Sequence, residues 1–363
     1  MTGEKRAVDF FLGANSPKGF VSYFSELSDP DLDIHSFVIK GGPGTGKSGL
    51  MKKAAAAMEK KDALIENIHC SSDADSLDAV IFHAANATIA DGTAPHVIEP
   101  QFPGAYDTVV NLCACWDEDR LRAHREEILQ VSRENKKCHA RCVRFLTAAN
   151  ALLSDNYLIA LEQTDTAKIG LQAERIAAKE FGKKTGKAPV EHKRLLSAVT
   201  PQGLITYTNT AKTLCDKLYL IKDDYGASSH LLLAALRSIA LEYGLEVYAC
   251  YCPLNPSDKL EHLFIPELGL GFMTSSRINP IEVEADKVMY YTRFTDTDAL
   301  KRKKQRLAFN RKAAAELLGE AVASLKNAKA IHDELESYYT AAVDFKQVSA
   351  MTEDVIAQIK KLY

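Results

Sequence analysis

An eight-residue phosphate-binding pattern occurs twice in this chain, once complete and once dismantled. That repetition restricts the folds open to it. Gly41-Gly42-Pro43-Gly44-Thr45-Gly46-Lys47-Ser48 matches G-x-x-x-x-G-K-[ST] in full. About 182 residues later stands Asp223-Asp224-Tyr225-Gly226-Ala227-Ser228-Ser229-His230. Each follows a hydrophobic run ending in Ile-Lys (Phe37 to Lys40, Leu220 to Lys222). Each precedes a helical pattern opening with Leu50-Met51 or Leu232-Leu233. The chain reads as two copies of one unit, and only the first keeps the residues that hold a nucleotide in the usual way.

The duplication runs end to end. Phe11 to Phe20 pairs with Leu195 to Leu204, and Cys70 to Leu77 pairs with Cys252 to Leu260. From Val109 to about Gly170 a shift of 179 sets Leu112 on Tyr291, Leu146 on Leu325 and Ile169 on Val348. A length of 363 residues fits two domains of roughly 180. The boundaries expected are 1–189 and 190–363, with the Lys- and Gly-rich stretch Gly182 to Pro189 as linker.

Each unit is expected to open with an α/β half. In the first, strands are predicted near 36–40, 64–70 and 87–91, and helices near 47–60 and 75–85. That alternation implies a parallel sheet with crossover helices. Residues 118 to 153 contain almost no Gly or Pro and predict one long helix of some 50 Å at about 1.5 Å per residue. Ser154-Asp155-Asn156 reads as a turn. A second helix then runs to Phe181, with Gly182 as its stop. The second unit repeats this from about 297 to 362. The fold class expected is α/β, with two tandem P-loop NTPase-like units, each followed by a long antiparallel helical hairpin.

The chemistry centres on the intact loop. Gly41, Gly42, Gly44 and Gly46 let the backbone turn tightly with its N–H groups facing an anion. Pro43 and Thr45 complete the loop. The helix that follows adds its positive dipole end. Lys47 is placed to reach β- and γ-phosphates, and the Ser48 hydroxyl to ligate Mg²⁺. Two carboxylates are candidates to assist. Asp91 ends the run Ala87-Thr88-Ile89-Ala90, and Asp73 follows Ile68 to Ser72. In doubly wound sheets ligands lie beyond the carboxyl ends of strands. Asp91 is the better candidate for the Mg²⁺ shell, while Asp73 equally fits a helix cap. His96, in Gly92-Thr93-Ala94-Pro95-His96, is a weaker candidate for substrate contact or proton transfer, and equally a structural residue.

Many ATP hydrolases carry a Glu after the strand-end Asp to polarise water; here Gly92 stands there. Hydrolysis by the chain alone is therefore expected below the typical turnover of about 10 per second. No Leu-Ser-Gly-Gly stretch and no Asn-Lys-x-Asp motif occur, which favours ATP over GTP and argues against an ABC-type ATPase. Arg277 is the candidate cation from the second unit. Cys113, Cys115, Cys138 and Cys142 could supply thiolates to zinc, although free cysteine is a common core residue. In the second unit Lys47 becomes Ser229, Ser48 becomes His230, Asp73 becomes Asn255, Asp91 becomes Thr274, and Gly41 and Gly42 become Asp223 and Asp224. A carboxylate 4 Å from a phosphate repels it by about 4 kcal/mol at an effective dielectric of 20. The second loop is therefore expected to bind no nucleoside triphosphate.

The net charge of −3 gives no bulk nucleic-acid footprint, and clusters such as Lys301 to Lys304 read as solvated faces. No apolar run approaches the roughly 18 residues of a membrane helix. The start Met-Thr-Gly-Glu-Lys-Arg lacks the apolar core of a signal peptide, and the eight cysteines follow no secreted framework. A cytoplasmic protein is expected.

The form Gly-x-Pro-Gly-Thr-Gly-Lys-Ser resembles the loop of AAA-type ATPases. Gly13 to Gly19, the loop, His69-Cys70-Ser71-Ser72-Asp73 and Asp91 to His96 together are similar to an uncharacterised bacterial family of tandem-duplicated P-loop proteins. That resemblance implies an ATPase or nucleotide-kinase-like protein. Three functions follow as expectations. The first is an ATP-binding protein with slow or partner-stimulated hydrolysis, its helical hairpins signalling to a protein partner. The second is a phosphotransferase acting on a small molecule or nucleotide with Lys47, Mg²⁺ and one of Asp73, Asp91 or His96. The third is a non-catalytic scaffold. A homo-oligomer is compatible with each.

Overall fold

The protein is seen in a computed structural model that describes residues 6–27, 33–94 and 98–363. The first half runs β1 (Arg6–Phe10), β2 (Gly13–Ser16), β3 (Gly19–Ser22), β4 (His35–Lys40), α1 (Lys47–Met58), β5 (Leu64–Cys70), β6 (Asp73–Phe82), β7 (Ala87–Asp91), β8 (Asp107–Asn111), α2 (Glu118–Ala123), α3 (Arg125–Leu161) and α4 (Thr166–Glu180). The second half runs β9 (Val190–Arg194), β10 (Ser197–Thr200), β11 (Gly203–Thr206), α5 (Asn209–Leu214), β12 (Lys217–Lys222), α6 (Ala227–Glu242), β13 (Glu246–Cys252), β14 (Asn255–Ile265), β15 (Leu270–Ser275), β16 (Lys287–Tyr290), α7 (Thr297–Arg302), α8 (Lys304–Thr340) and α9 (Phe345–Lys360).

The repeat survives strand for strand. The first six-stranded sheet has the order β1-β5-β6-β7-β4-β8, and the second β9-β13-β14-β15-β12-β16. Both are mixed. β6 is antiparallel to β5 and to β7, and β14 is antiparallel to β13 and β15, while the remaining pairs are parallel. This corrects two expectations. Residues 75–85 are not a helix, since 73–82 form β6, and the sheet is therefore not all parallel. Ala79, Val80 and Phe82 are buried and Ile81 half-buried, on a strand between two others, where β-branched and aromatic side chains pack well. Asp73 accordingly opens a strand and caps no helix.

The sheets pack face to face. Val8, Phe10, Ile68 and Ala90 of one share a core with Leu218, Leu220, Tyr248 and Met273 of the other. Helices cover the outer faces, giving helix, sheet, sheet, helix. Reciprocal contacts between repeat-equivalent residues mark a two-fold relation: Phe11 N donates to Leu195 O (2.8 Å), and Leu195 N donates to Phe11 O (2.9 Å).

The helices depart from expectation. Ser154-Asp155-Asn156 is not a turn but lies inside α3, which runs to Leu161. Its turn-forming side chains are bound by the facing helix. Asn156 Nδ2 donates to Leu307 O (3.1 Å), and Arg306 Nε donates to Asp155 Oδ2 (2.8 Å). α3 does not fold back along α4 as a hairpin. It lies antiparallel on α8, its repeat equivalent, with Cys142, Leu146, Ala321 and Leu325 buried between them. The short helices exchange sides. α4 packs on α6, placing Ile169, Ala173 and Ile176 in the second half's core. α9 packs on α1, placing Val348, Val355, Ile356 and Ile359 in the first. The crossing is pinned by one contact made twice: Trp116 bridges Val343, and Thr295 bridges Thr164. Asp165 and Asp344 cap α4 and α9 through side chains that accept from Lys168 N and Lys346 N. Gly182 follows α4 with φ 68°, as a C′ glycine should.

Candidate functional site

β4 ends at Lys40, the loop crosses Gly41 to Gly46, and α1 starts at Lys47, with Gly46 at φ 87°. The loop is braced from within, since Thr45 Oγ1 donates to Gly42 O (2.9 Å). Lys47 Nζ donates to Gly41 O (2.8 Å) and Gly42 O (2.7 Å) and lies 3.5 Å from Asp91 Oδ2. Asp91 owes its place to β7, which runs parallel to β4 and sets Asp91 beside Ile39. The Thr93 amide (2.9 Å) and hydroxyl both donate to Asp91 Oδ1. Ser48 Oγ accepts from Leu77 N (3.0 Å), which ties α1 to β6.

The loop borders a cavity of about 1180 Å³ that also reaches Asp73, Asp78, Asp91 and Ser48. These are hard oxygen donors at the end of the sheet, although among the described residues no three His, Cys, Asp or Glu side chains converge as a metal site by themselves. Asp73 and Asp91 thus share one cavity with the loop. Buried Asp78 was missed in the sequence, where it sat in a segment read as helix. His96 lies outside the described residues. Arg277 is not near this cavity: its Nε donates to Asp224 Oδ2 at 2.9 Å in the second half. All eight cysteines are free. Cys142 is packed between α3 and α8, whereas Cys115 lies in the core under α1.

The far wall of the cavity comes from α3 and α8. Gly44 N donates to Glu336 Oε1 (3.3 Å), and Thr340 Oγ1 lies 3.5 Å from Gly44 O. A Cβ on Gly42 would sit 2.7 Å from Tyr339 Cε1 and 3.3 Å from Trp116 Cζ2, so the loop meets this aromatic pair as bare backbone. Trp116 Nε1 is buried and makes no hydrogen bond among the described residues. Lys329 lies 3.6 Å from Asp73 and also pairs with Asp333. A bond from His332, with the Gly44 amide, holds the Glu336 carboxyl below its usual range against the effect of burial. Glu336 therefore places a negative charge on an amide suited to an anion. Its side chain is 40% exposed, so an exposed-pair magnitude applies. Glu336→Gln should tighten Mg·ATP binding up to roughly fivefold by removing that charge. An unchanged dissociation constant by calorimetry would show that the carboxylate does not compete.

The second loop is closed by its own carboxylate. Asp223 is 1% exposed. Its Oδ1 accepts from Tyr225 N (3.0 Å) and Gly226 N (2.9 Å), and its Oδ2 accepts from Ser229 N (2.9 Å). α6 begins at Ala227, so residues equivalent to Thr45 and Gly46 are wound into helix. The Tyr225, Gly226 and Ser229 amides, which could face an anion, are thus occupied.

Comparison with protein-family models, with curated proteins and with solved structures found no match for this chain.

Proposed function

We propose that the chain binds Mg·ATP at residues 41–48 and acts as a P-loop ATPase with one active site, its hydrolysis slow or stimulated by a partner. The observation that carries this reading is a complete phosphate loop between a strand and a helix, with Asp91 at the end of the adjacent parallel strand, 3.5 Å from Lys47. Lys47 would leave the Gly41 and Gly42 carbonyls for phosphate oxygens, and Ser48 and Asp91 would hold the magnesium ion. Bound Mg²⁺ would neutralise charge on the phosphates. No helix of the described chain is long and apolar enough to cross a membrane.

Lys47→Ala removes charged hydrogen bonds worth about 1.5–3 kcal/mol, so Mg·ATP affinity should fall by roughly ten- to a hundredfold. Wild-type affinity in a titration of this variant would sink the assignment. Phosphoryl transfer is the second reading, favoured by the size of the cavity. Lys136, His139, Lys329 and His332 line it opposite the loop, a suitable setting for an anionic acceptor. Phosphate release measured with and without candidate acceptors separates the two.

A further inference from the structure

The second half holds its own cavity, of about 450 Å³, at the place equivalent to the first. Its charges are distributed differently. Asp223 is satisfied by three amides, and Asp224 by Arg277. Three charged groups of β14 also line the cavity: Asp258 is exposed, and Lys259 and Glu261 are half-buried. Lys259 makes no hydrogen bond or ion pair among the described residues, yet it lies against the loop: a Cβ added to Gly226 would be 2.5 Å from its Nζ. Glu261 Oε2 is buried and makes no hydrogen bond among the described residues; His262 Nε2 lies 3.8 Å away, but burial pushes that imidazole down to about 3, so it faces the carboxylate as a neutral group.

Strand pairing shows how these charges arose within the repeat. His69 pairs with Leu77, and Tyr251 with Leu260. Lys259 therefore occupies the position of Ser76, and Glu261 that of Asp78. A cation again stands at the loop, supplied by β14 instead of the loop's own helix, beside the Tyr225, Gly226 and Ser229 amides that Asp223 occupies. Lys259 and Glu261 alternate onto one face of β14, their Cα atoms roughly 7 Å apart. They form no ion pair with each other. Leu153, Val199, Leu204, Leu254, Leu318 and Val322 give the cavity an apolar part, with Asn150 and Arg311 also in the lining.

We propose that this second cavity binds a small zwitterion with an apolar side chain, of the α-amino-acid class, its carboxylate on Lys259 and its ammonium on Glu261. Each pole of such a ligand would make a direct charged hydrogen bond to a side chain that has none among the described residues, and desolvating a charge without one is costly. Burial raises the Glu261 carboxyl above its usual range while Lys259 opposes the shift. A ligand ammonium supplies the further cation that the ionised form needs. The side chain of the ligand covers the apolar wall. This proposal does not depend on nucleotide binding at the first loop.

The test is calorimetric titration of the full chain with L-leucine, L-methionine and L-phenylalanine. Two single-pole analogues of leucine, 2-hydroxy-4-methylpentanoate and isoamylamine, and inorganic phosphate complete the set. At least one amino acid should bind saturably, and both analogues should bind about tenfold or more weakly than leucine itself. Lys259→Met and Glu261→Gln, each checked for cooperative melting, should lose affinity by a similar factor. Failure of all three amino acids to bind the wild type overturns the proposal whatever the variants do. So does equal binding of the hydroxy acid, a preference for phosphate, or wild-type affinity in a folded Lys259→Met protein.

Discussion

Replacing Arg194 with Met should destabilise the chain by roughly 3–5 kcal/mol, the usual cost of leaving a buried charge without its partner. Arg194 Nε donates to Glu66 Oε2 (2.8 Å), and its Nη1 donates to Glu26 Oε2 (2.9 Å). The arginine side chain is 3% exposed and that of Glu66 is fully buried. Glu66 also accepts from Tyr248 (2.9 Å) and bonds His83 (2.7 Å). The two carboxylates belong to the first half and the arginine to the second, so the variant weakens the joint between the sheets. Burial alone would raise the Glu66 carboxyl, but Arg194 and His83 hold it far below the usual range. A depressed carboxyl contributes stability that is present above its unfolded value of about 4.3 and lost as pH falls through its folded value. In Arg194→Met the order inverts: burial dominates, the folded value rises, and stability should decline as pH climbs above about 4.3. His83 adds an opposite slope in the wild type. Its value is raised by Glu66 against burial, so its contribution is full below about 6.5 and lost as pH rises through the folded value. Urea denaturation across pH measures both slopes. Adding Glu66→Gln to the variant should recover part of the loss, and a single variant with wild-type stability would refute the account.

Ile359→Ala should cost about 2–5 kcal/mol and should loosen the half of the molecule farther away in sequence. Ile359 is fully buried on α9, in the core formed with Leu50, Met51, Ala54 and Met58 of α1. Hydrogen exchange gives the decisive comparison. Amides of 47–58 should lose protection, while those of 227–242, held by α4, should change little. Ile176→Ala on α4 should do the reverse. Loss of protection in 227–242 for Ile359→Ala would show that α9 does not serve the first sheet.

The duplication was legible in the sequence because loop, strand-end and helix patterns recurred in order, and the two sheets have matching strand orders. The long Gly- and Pro-free stretch likewise yielded α3, although Asp155 and Asn156 obscured its end because their partners lie on α8. β6 was hidden because Asp73, Ser76 and Asp78 break its alternation and a bulge shifts its register near His69. Lys47, Ser48 and Asp91 could be named from local spacing. Glu336, Tyr339, Lys329 and His332 could not, since nothing local ties residue 336 to residue 44. A repeat read as two beads also hides an exchange of arms, because contiguous and exchanged arrangements bury the same apolar faces.

The exchange has a consequence for how the chain is made. α1 is complete by residue 58 and its sheet by residue 111, but the helix that seals them begins at Phe345. Until that segment has been synthesised, the apolar face that receives Val348, Val355 and Ile359 has nothing to cover it. Such long-range closure slows folding and lengthens the exposure of sticky surface. A ribosome moving at about 5–20 residues per second needs roughly 12–47 seconds to travel from the end of β8 to α9. The nascent first half waits that long before α9 closes its core.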